Sequence, residues 1–187
     1  MCHTDVNTEI FFENVRVPKT FRVKGPGHDS KILHEIVGRG RLGTVWMALG
    51  AAQACFEIAL NWTQDREIAG RPVRSRSLHA SILGEMSQRI EVARAYAMQV
   101  GNMVGSGKYG GAGEHFLAGK CSSAKHIACE NTVWVTNKAM ELMGSYGFAF
   151  ENHIEKYLRD VKILELWLGG PQRALLDSAL AHYEFEW

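Results

Sequence analysis

The chain has 187 residues, 46% of them hydrophobic, with 21 Lys and Arg against 20 Asp and Glu and a formal charge of +1. That size and composition suit one ordinary domain whose core needs neither a metal nor a disulfide to hold it. The two signs of charge are interspersed, which gives no reason to expect a nucleic-acid partner. No apolar run approaches the roughly 18 residues of a membrane span, and the start Met1-Cys2-His3-Thr4-Asp5 lacks the charged-then-apolar pattern of a signal peptide.

The segment from Thr8 to Pro18 is β-branched and aromatic and ends at a proline, so it reads as one short N-terminal strand. A lone strand leaves backbone donors and acceptors unsatisfied, so it is expected to complete a sheet that belongs to something else, or to dock irregularly on the helices. A loop with Gly25-Pro26-Gly27 follows. Apolar residues then recur at Leu42, Val45, Leu49, Ala52, Phe56 and Leu60, the three-or-four spacing of a helix face that runs to about Arg66. After a break at Gly70-Arg71-Pro72, the same spacing marks a second helix through Ile82, Met86, Ile90, Ala93, Ala97, Val100 and Val104, stopping at Gly105-Ser106-Gly107. A glycine-rich turn over residues 108–113 precedes a third helix marked by Leu117, Cys121, Ala124, Ala128, Val135, Ala139 and Leu142 and ending at Gly144. Shorter helices are expected around Ile154 to Lys162 and from Pro171 to Tyr183, with Pro171 in the first turn.

Long helices joined by short loops pack as antiparallel neighbours. The expected fold is therefore all-α, an antiparallel up-and-down bundle of long helices, with residues 1–29 as a remnant strand and linker and 30–187 as the bundle. Cys2, Cys55, Cys121 and Cys129 are scattered with no CxxC pair, and three of them fall on expected helices among apolar or small residues. They read as buried free thiols in a reducing compartment, which makes the cytoplasm the expected location.

Several motifs are weaker than they look. Gly38-Arg39-Gly40-Arg41-Leu42-Gly43-Thr44-Val45 satisfies GxGxxG, yet a dinucleotide site needs a strand before it and a βαβ unit around it, and here a long amphipathic helix follows. Glycine inside a helix costs up to about 1 kcal/mol relative to alanine, so these glycines are read as the place where another helix crosses closely. Residues Gly113 to Lys120 miss a phosphate-loop pattern by one position, and Cys121 stands where a magnesium-binding hydroxyl belongs. No His, Cys or carboxylate cluster has metal-ligand spacing. Ser178 and His182, one turn apart with Asp177 beside them, read as a polar helix face rather than a catalytic triad.

Several stretches resemble the flavin-dependent acyl-CoA dehydrogenase family and occur in the family's order. They are Ile10 to Pro18; Gly40-Arg41; Ala48 to Ala54; Asp65-Arg66-Glu67-Ile68-Ala69-Gly70-Arg71-Pro72; Ile82 to Met86 with Ile90 to Arg94; and Met140 to Phe148 followed by Ile154 to Ile163. The resemblance covers nearly the whole chain and implies the family's C-terminal helical domain, preceded by the last strand of its middle β-domain. It implies FAD as cofactor, an acyl-CoA thioester as substrate, and association with itself or a related subunit through the helices.

In this family a glutamate removes the α-proton while the β-hydrogen leaves as hydride to the flavin. The resemblance puts that glutamate at Leu168, or at Gly169 under a one-residue shift. In some members it lies just before an arginine equivalent to Arg41, where this chain has Gly40. Neither place holds a group that can take a proton. Glu165 is the remaining candidate base, read first as a surface or ion-paired carboxylate. The resemblance further implies that Arg41 lies in the substrate region, that Arg66 approaches the cofactor diphosphate, and that Glu141, Gly144 and Ser145 form the turn receiving the flavin chain. Ile68, Ser77, Glu141 and Ser145 replace more usual residues, and Glu141 would face the diphosphate unless it turns away or pairs. Two functions are therefore carried forward: a flavin oxidoreductase chain that depends on a partner or a further segment for its base, and a non-catalytic helical assembly module of the same descent.

Overall fold

The computed structural model describes residues 8–22 and 29–183. The Gly25-Pro26-Gly27 loop, Cys2 and the first residues lie outside that range. Three long helices, α1 Asp29–Asp65, α2 Ser77–Gly105 and α3 His115–Met143, form the body of the bundle. A single turn of helix, α4 Ser145–Phe148, leads to α5 Ile154–Leu166 and α6 Pro171–Leu180. Pro171 sits in the first turn of α6, where its missing N–H would have had no partner.

Most of the residues that set the helical spacing are buried, Val45, Leu49 and Ala52 from α1, Met86, Ile90, Ala93, Ala97 and Val100 from α2, and Leu117, Cys121, Ala124, Ala128, Val135, Ala139 and Leu142 from α3, while Leu42, Phe56, Leu60, Ile82 and Val104 pack against them partly buried. Chain direction alternates across the three long helices, so α1 and α3 are parallel neighbours. Arg41 bonds to Ser122 near one end, and Trp62 meets Tyr146 with ring centroids 6.2 Å apart near the other. Both α5 and α6 return along α3: Cys129 reaches Leu164, Lys125 reaches Gly169, and Ser123 reaches Ser178. The α5–α6 connection is thus not a hairpin. These two helices form one arm running in a single direction, broken at residues 167–170.

Three expectations need correction. Residues 8–18 form no hydrogen-bonded ladder; Phe11 is 82% exposed, and Ile10, Phe12, Val15 and Val17 are exposed with it. A strand exists only against a partner, and no described segment offers one. The paired strands among the described residues are β1 Glu67–Ile68 and β2 Arg71–Pro72, joined by Ala69 and Gly70, both at positive φ as a two-residue hairpin turn requires.

Among the described residues the first helix begins at Asp29, one position before the expected start of the bundle at residue 30. What approaches Gly38 is a loop rather than a crossing helix: a Cβ there would lie 2.2 Å from the Ala112 carbonyl oxygen. Gly43 has no such neighbour, and nothing in the structure explains it.

Finally, α1 is long and apolar enough by itself to cross a bilayer, with a mean hydropathy of 1.3 over its best window. It nevertheless packs against α2, α3 and α5 as a core helix of the bundle.

Candidate functional site

The break between α5 and α6 is held by side chains of two neighbouring helices. Leu168 and Gly169 both have positive φ, 52° and 93°, a conformation that side chains resist. Two cations hold them there. Lys125, on the inward face of α3 and 2% exposed, donates to the carbonyls of Glu165 at 2.9 Å, Gly169 at 2.8 Å and Trp167. Arg41, buried on α1, donates through Nε to the Leu168 carbonyl at 3.1 Å and through Nη1 to Ser122 Oγ at 2.7 Å. The same Nη1 lies 2.9 Å from Asp177, which also receives Arg173 at 2.8 Å. The Trp167 indole N–H donates to Thr44 at 2.7 Å.

In this conformation the Leu168 side chain lies against α1 at Gly40, where a Cβ would stand 3.1 Å from Leu168 Cδ1. The two positions that the resemblance assigns to a base therefore adjoin in space, and an aliphatic side chain fills the junction. Glu165 is nearby in sequence, but its carboxylate pairs with Lys162 on α5, as expected of an ion-paired residue. Burial pulls the Lys125 ammonium below its ordinary pKa, and Arg41 adds to that effect.

Arg41, which the resemblance places in the substrate region, is thus bound on several sides by its own chain. It borders a cavity of about 450 Å³ together with His34, Val37, His115, Arg173 and Asp177. Nearby, Glu35 accepts a hydrogen bond from the Gly113 amide at 2.8 Å. That bond holds the carboxyl below the usual carboxylate range against the opposing effect of burial, with Arg39 assisting. The expected polar face of α6 is also revised. Asp177 is buried and ion-paired, and Ser178 bonds to Ser123 rather than to His182.

The Arg66 group lies at the far end of the bundle. Arg66 follows α1, is exposed, and has no side-chain partner among the described residues. Gly144 caps α3 at φ 60°, and a Cβ there would meet nothing within 4 Å. Glu141 pairs with Lys138 at 2.6 Å, which offsets its charge, and Ser145 is exposed at the start of α4. The Trp62–Tyr146 contact joins the two helix ends that carry these residues. Sequence reasoning missed Lys125, Ser122, Asp177 and Thr44 as a group. The available signal was a lysine four residues from both Cys121 and Cys129, on a face that is otherwise apolar.

Among the described residues no group of His, Cys, Asp or Glu could hold a metal. The thiols of Cys55, Cys121 and Cys129 are free, and burial raises them to about 12, 11 and 12 respectively, far from a reactive thiolate at neutral pH.

Three long helices with a returning arm broken at a clasped turn define a helical-bundle domain. The family model described as "Acyl-CoA dehydrogenase, C-terminal domain" matches residues 31–179, and the chain belongs to that family. It is 28% identical over 167 residues to cyclohex-1-ene-1-carbonyl-CoA dehydrogenase of Geobacter metallireducens, covering 89% of this chain and 42% of that protein. To the mitochondrial short/branched chain specific acyl-CoA dehydrogenase of Bos taurus it is 30% identical, covering 86% of this chain and 35% of the relative. Among solved structures, butyryl-CoA dehydrogenase from Megasphaera elsdenii superposes with a TM-score of 0.76 at 25% identity, over 82% of this chain and 38% of that one. A glutaryl-coenzyme A dehydrogenase in complex with glutaryl-CoA gives 0.81 at 25% identity, over 92% and 42%. The chain thus spans well under half the length of these relatives.

Proposed function

We propose that this chain is the C-terminal helical part of an FAD-dependent acyl-CoA dehydrogenase, and that the catalytic base comes from outside it. The observation carrying this reading is the Leu168–Gly40 contact, which fills both base positions implied by the family with groups that cannot accept a proton. When bound, FAD would take the β-hydrogen of an acyl-CoA thioester as hydride while a carboxylate removes the α-proton. The residues fit the diphosphate end of that cofactor: Arg66 offers an unengaged guanidinium, Glu141 is neutralised by Lys138, and Gly144 leaves open space at the turn beside Ser145.

Partnership is part of the same proposal. The exposed apolar residues of 10–17 need a sheet to complete, and residues 1–29 would link that sheet to the bundle. A second copy or a related subunit would pack on the helices, and the unpaired buried thiols suit a reducing, cytoplasmic setting. The test is the visible spectrum of the purified chain after incubation with FAD and desalting, read together with its mass in solution. Retained flavin absorbance on an oligomer is the expected result and justifies an anaerobic search for acyl-CoA-dependent bleaching. An oligomer without flavin would instead identify a non-catalytic assembly module and retire the roles of Arg66, Glu141, Gly144 and Ser145.

A further inference from the structure

Among the described residues Lys125 is the largest fully buried side chain, and the proposed chemistry makes no use of it. Its position on an apolar stripe carries a desolvation cost, which only well-placed acceptors offset. The acceptors here are three carbonyls of a single turn: Glu165 in the last turn of α5, where helical carbonyls have no internal partner, then Trp167 and Gly169 beyond it. The negative end of the α5 dipole faces the same ammonium. Leu168, the remaining residue of the turn, gives its carbonyl to Arg41. Every carbonyl at 165, 167, 168 and 169 is therefore held by a cation on a neighbouring long helix. Strained positive-φ residues persist only where their surroundings over-determine them, as here.

We propose that Lys125 is the positioning residue of this site: its ammonium fixes the 165–169 turn so that the side chain at position 168 is delivered to α1 at Gly40. The clasp bonds only to backbone oxygens, so it acts on position 168 regardless of which side chain stands there. Leu168 closes the junction in this chain, and a carboxylate at 168 would be carried to the same place. The importance of position 168 rests on the family reading above. The clasp itself does not, and its test needs no flavin.

The experiment places a reporter thiol in the turn with Leu168→Cys in a Cys2→Ser background. Alkylation by iodoacetamide is followed under native conditions at fixed pH, each thiol being identified by peptide mass. Cys55, Cys121 and Cys129 serve as internal controls because they are buried. With Lys125 present, the reporter thiol should react slowly. Adding Lys125→Met should accelerate its alkylation by ~10-fold or more through local opening, while the three core thiols stay protected. Lys125→Gln, which keeps one donor end, should fall between the two, and it answers the question alone if the Met variant does not fold. An unchanged reporter rate in the folded variant, or acceleration of all four thiols together, would overturn the proposal. The first outcome would mean that the turn holds itself, and the second that Lys125 supports the whole bundle rather than the turn. A chain that binds no FAD yet shows the local acceleration keeps the clasp and loses only the flavin reading.

Discussion

Near the start of α3, Arg41, Lys125 and Asp177 are buried charged groups that find their partners within the chain; about 28 Å further along the same helix, Glu141, Ser145 and Tyr146 stand exposed beside Gly144, and Arg66 is exposed just beyond the end of α1. The first end has spent its polar groups on holding one turn in shape. The second keeps a guanidinium, an open glycine turn and aromatic surface with little internal use. In the proposed reading these exposed groups are the ones that would receive the cofactor or another subunit. The contrast is between polar groups used inside the fold and polar groups left at its surface.

The sharpest way to break this contrast is at Asp177. Replacing it with alanine strands Arg41 as a buried charge, and the expected loss is about 3–5 kcal/mol in urea denaturation. A loss under about 1 kcal/mol would show that water reaches Arg41 and that this end is not closed.

A smaller effect is expected at Glu35, which ties the α2–α3 loop to α1 through Gly113. Its carboxyl is held below the ordinary value, so its contribution is present above about pH 4.5 and is lost as pH falls through the lowered folded value. Urea stability should therefore decline more steeply with acidification in the wild type than in Glu35→Gln. Parallel pH profiles would show that the Gly113 bond is not linked to folding.

At the opposite end, Arg66→Ala should change stability by no more than about 0.5 kcal/mol, because Arg66 is exposed and its guanidinium has no hydrogen-bond or ion-pair partner among the described residues. If the chain retains FAD, the same substitution should weaken that binding by about tenfold or more. A large stability loss would move Arg66 from the exposed end to the structural one, and unchanged FAD affinity would remove it from the cofactor site.

The long helices could be read from the sequence because their signal is local and repeated. Val45, Leu49 and Ala52, or Met86, Ile90 and Ala93, each announce a buried face through their spacing, and the structure buries those faces. Family membership was legible for a similar reason, being spread over several ordered stretches from Gly40 to Ile163. The reason for Gly38 was not legible, because it lies in Ala112, seventy-four positions away. The strand over residues 8–18 failed for the complementary reason: β propensity describes a residue's fit to a partner sheet, and that partner is not among the described residues.

By itself, then, the sequence determined the all-α bundle, its main helices and turns, and the lack of a proton acceptor at positions 40, 168 and 169. Only the tertiary structure decided that those positions meet, that α5 and α6 form one broken arm, and that Lys125 holds the break. Helical periodicity is written into neighbours three and four residues apart, whereas the clasp joins residues 40 to 44 positions apart, and Arg41 to Leu168 across 127. Contacts between carbonyl oxygens and a distant ammonium leave no trace in the identities of the residues that supply the carbonyls, because every residue carries one.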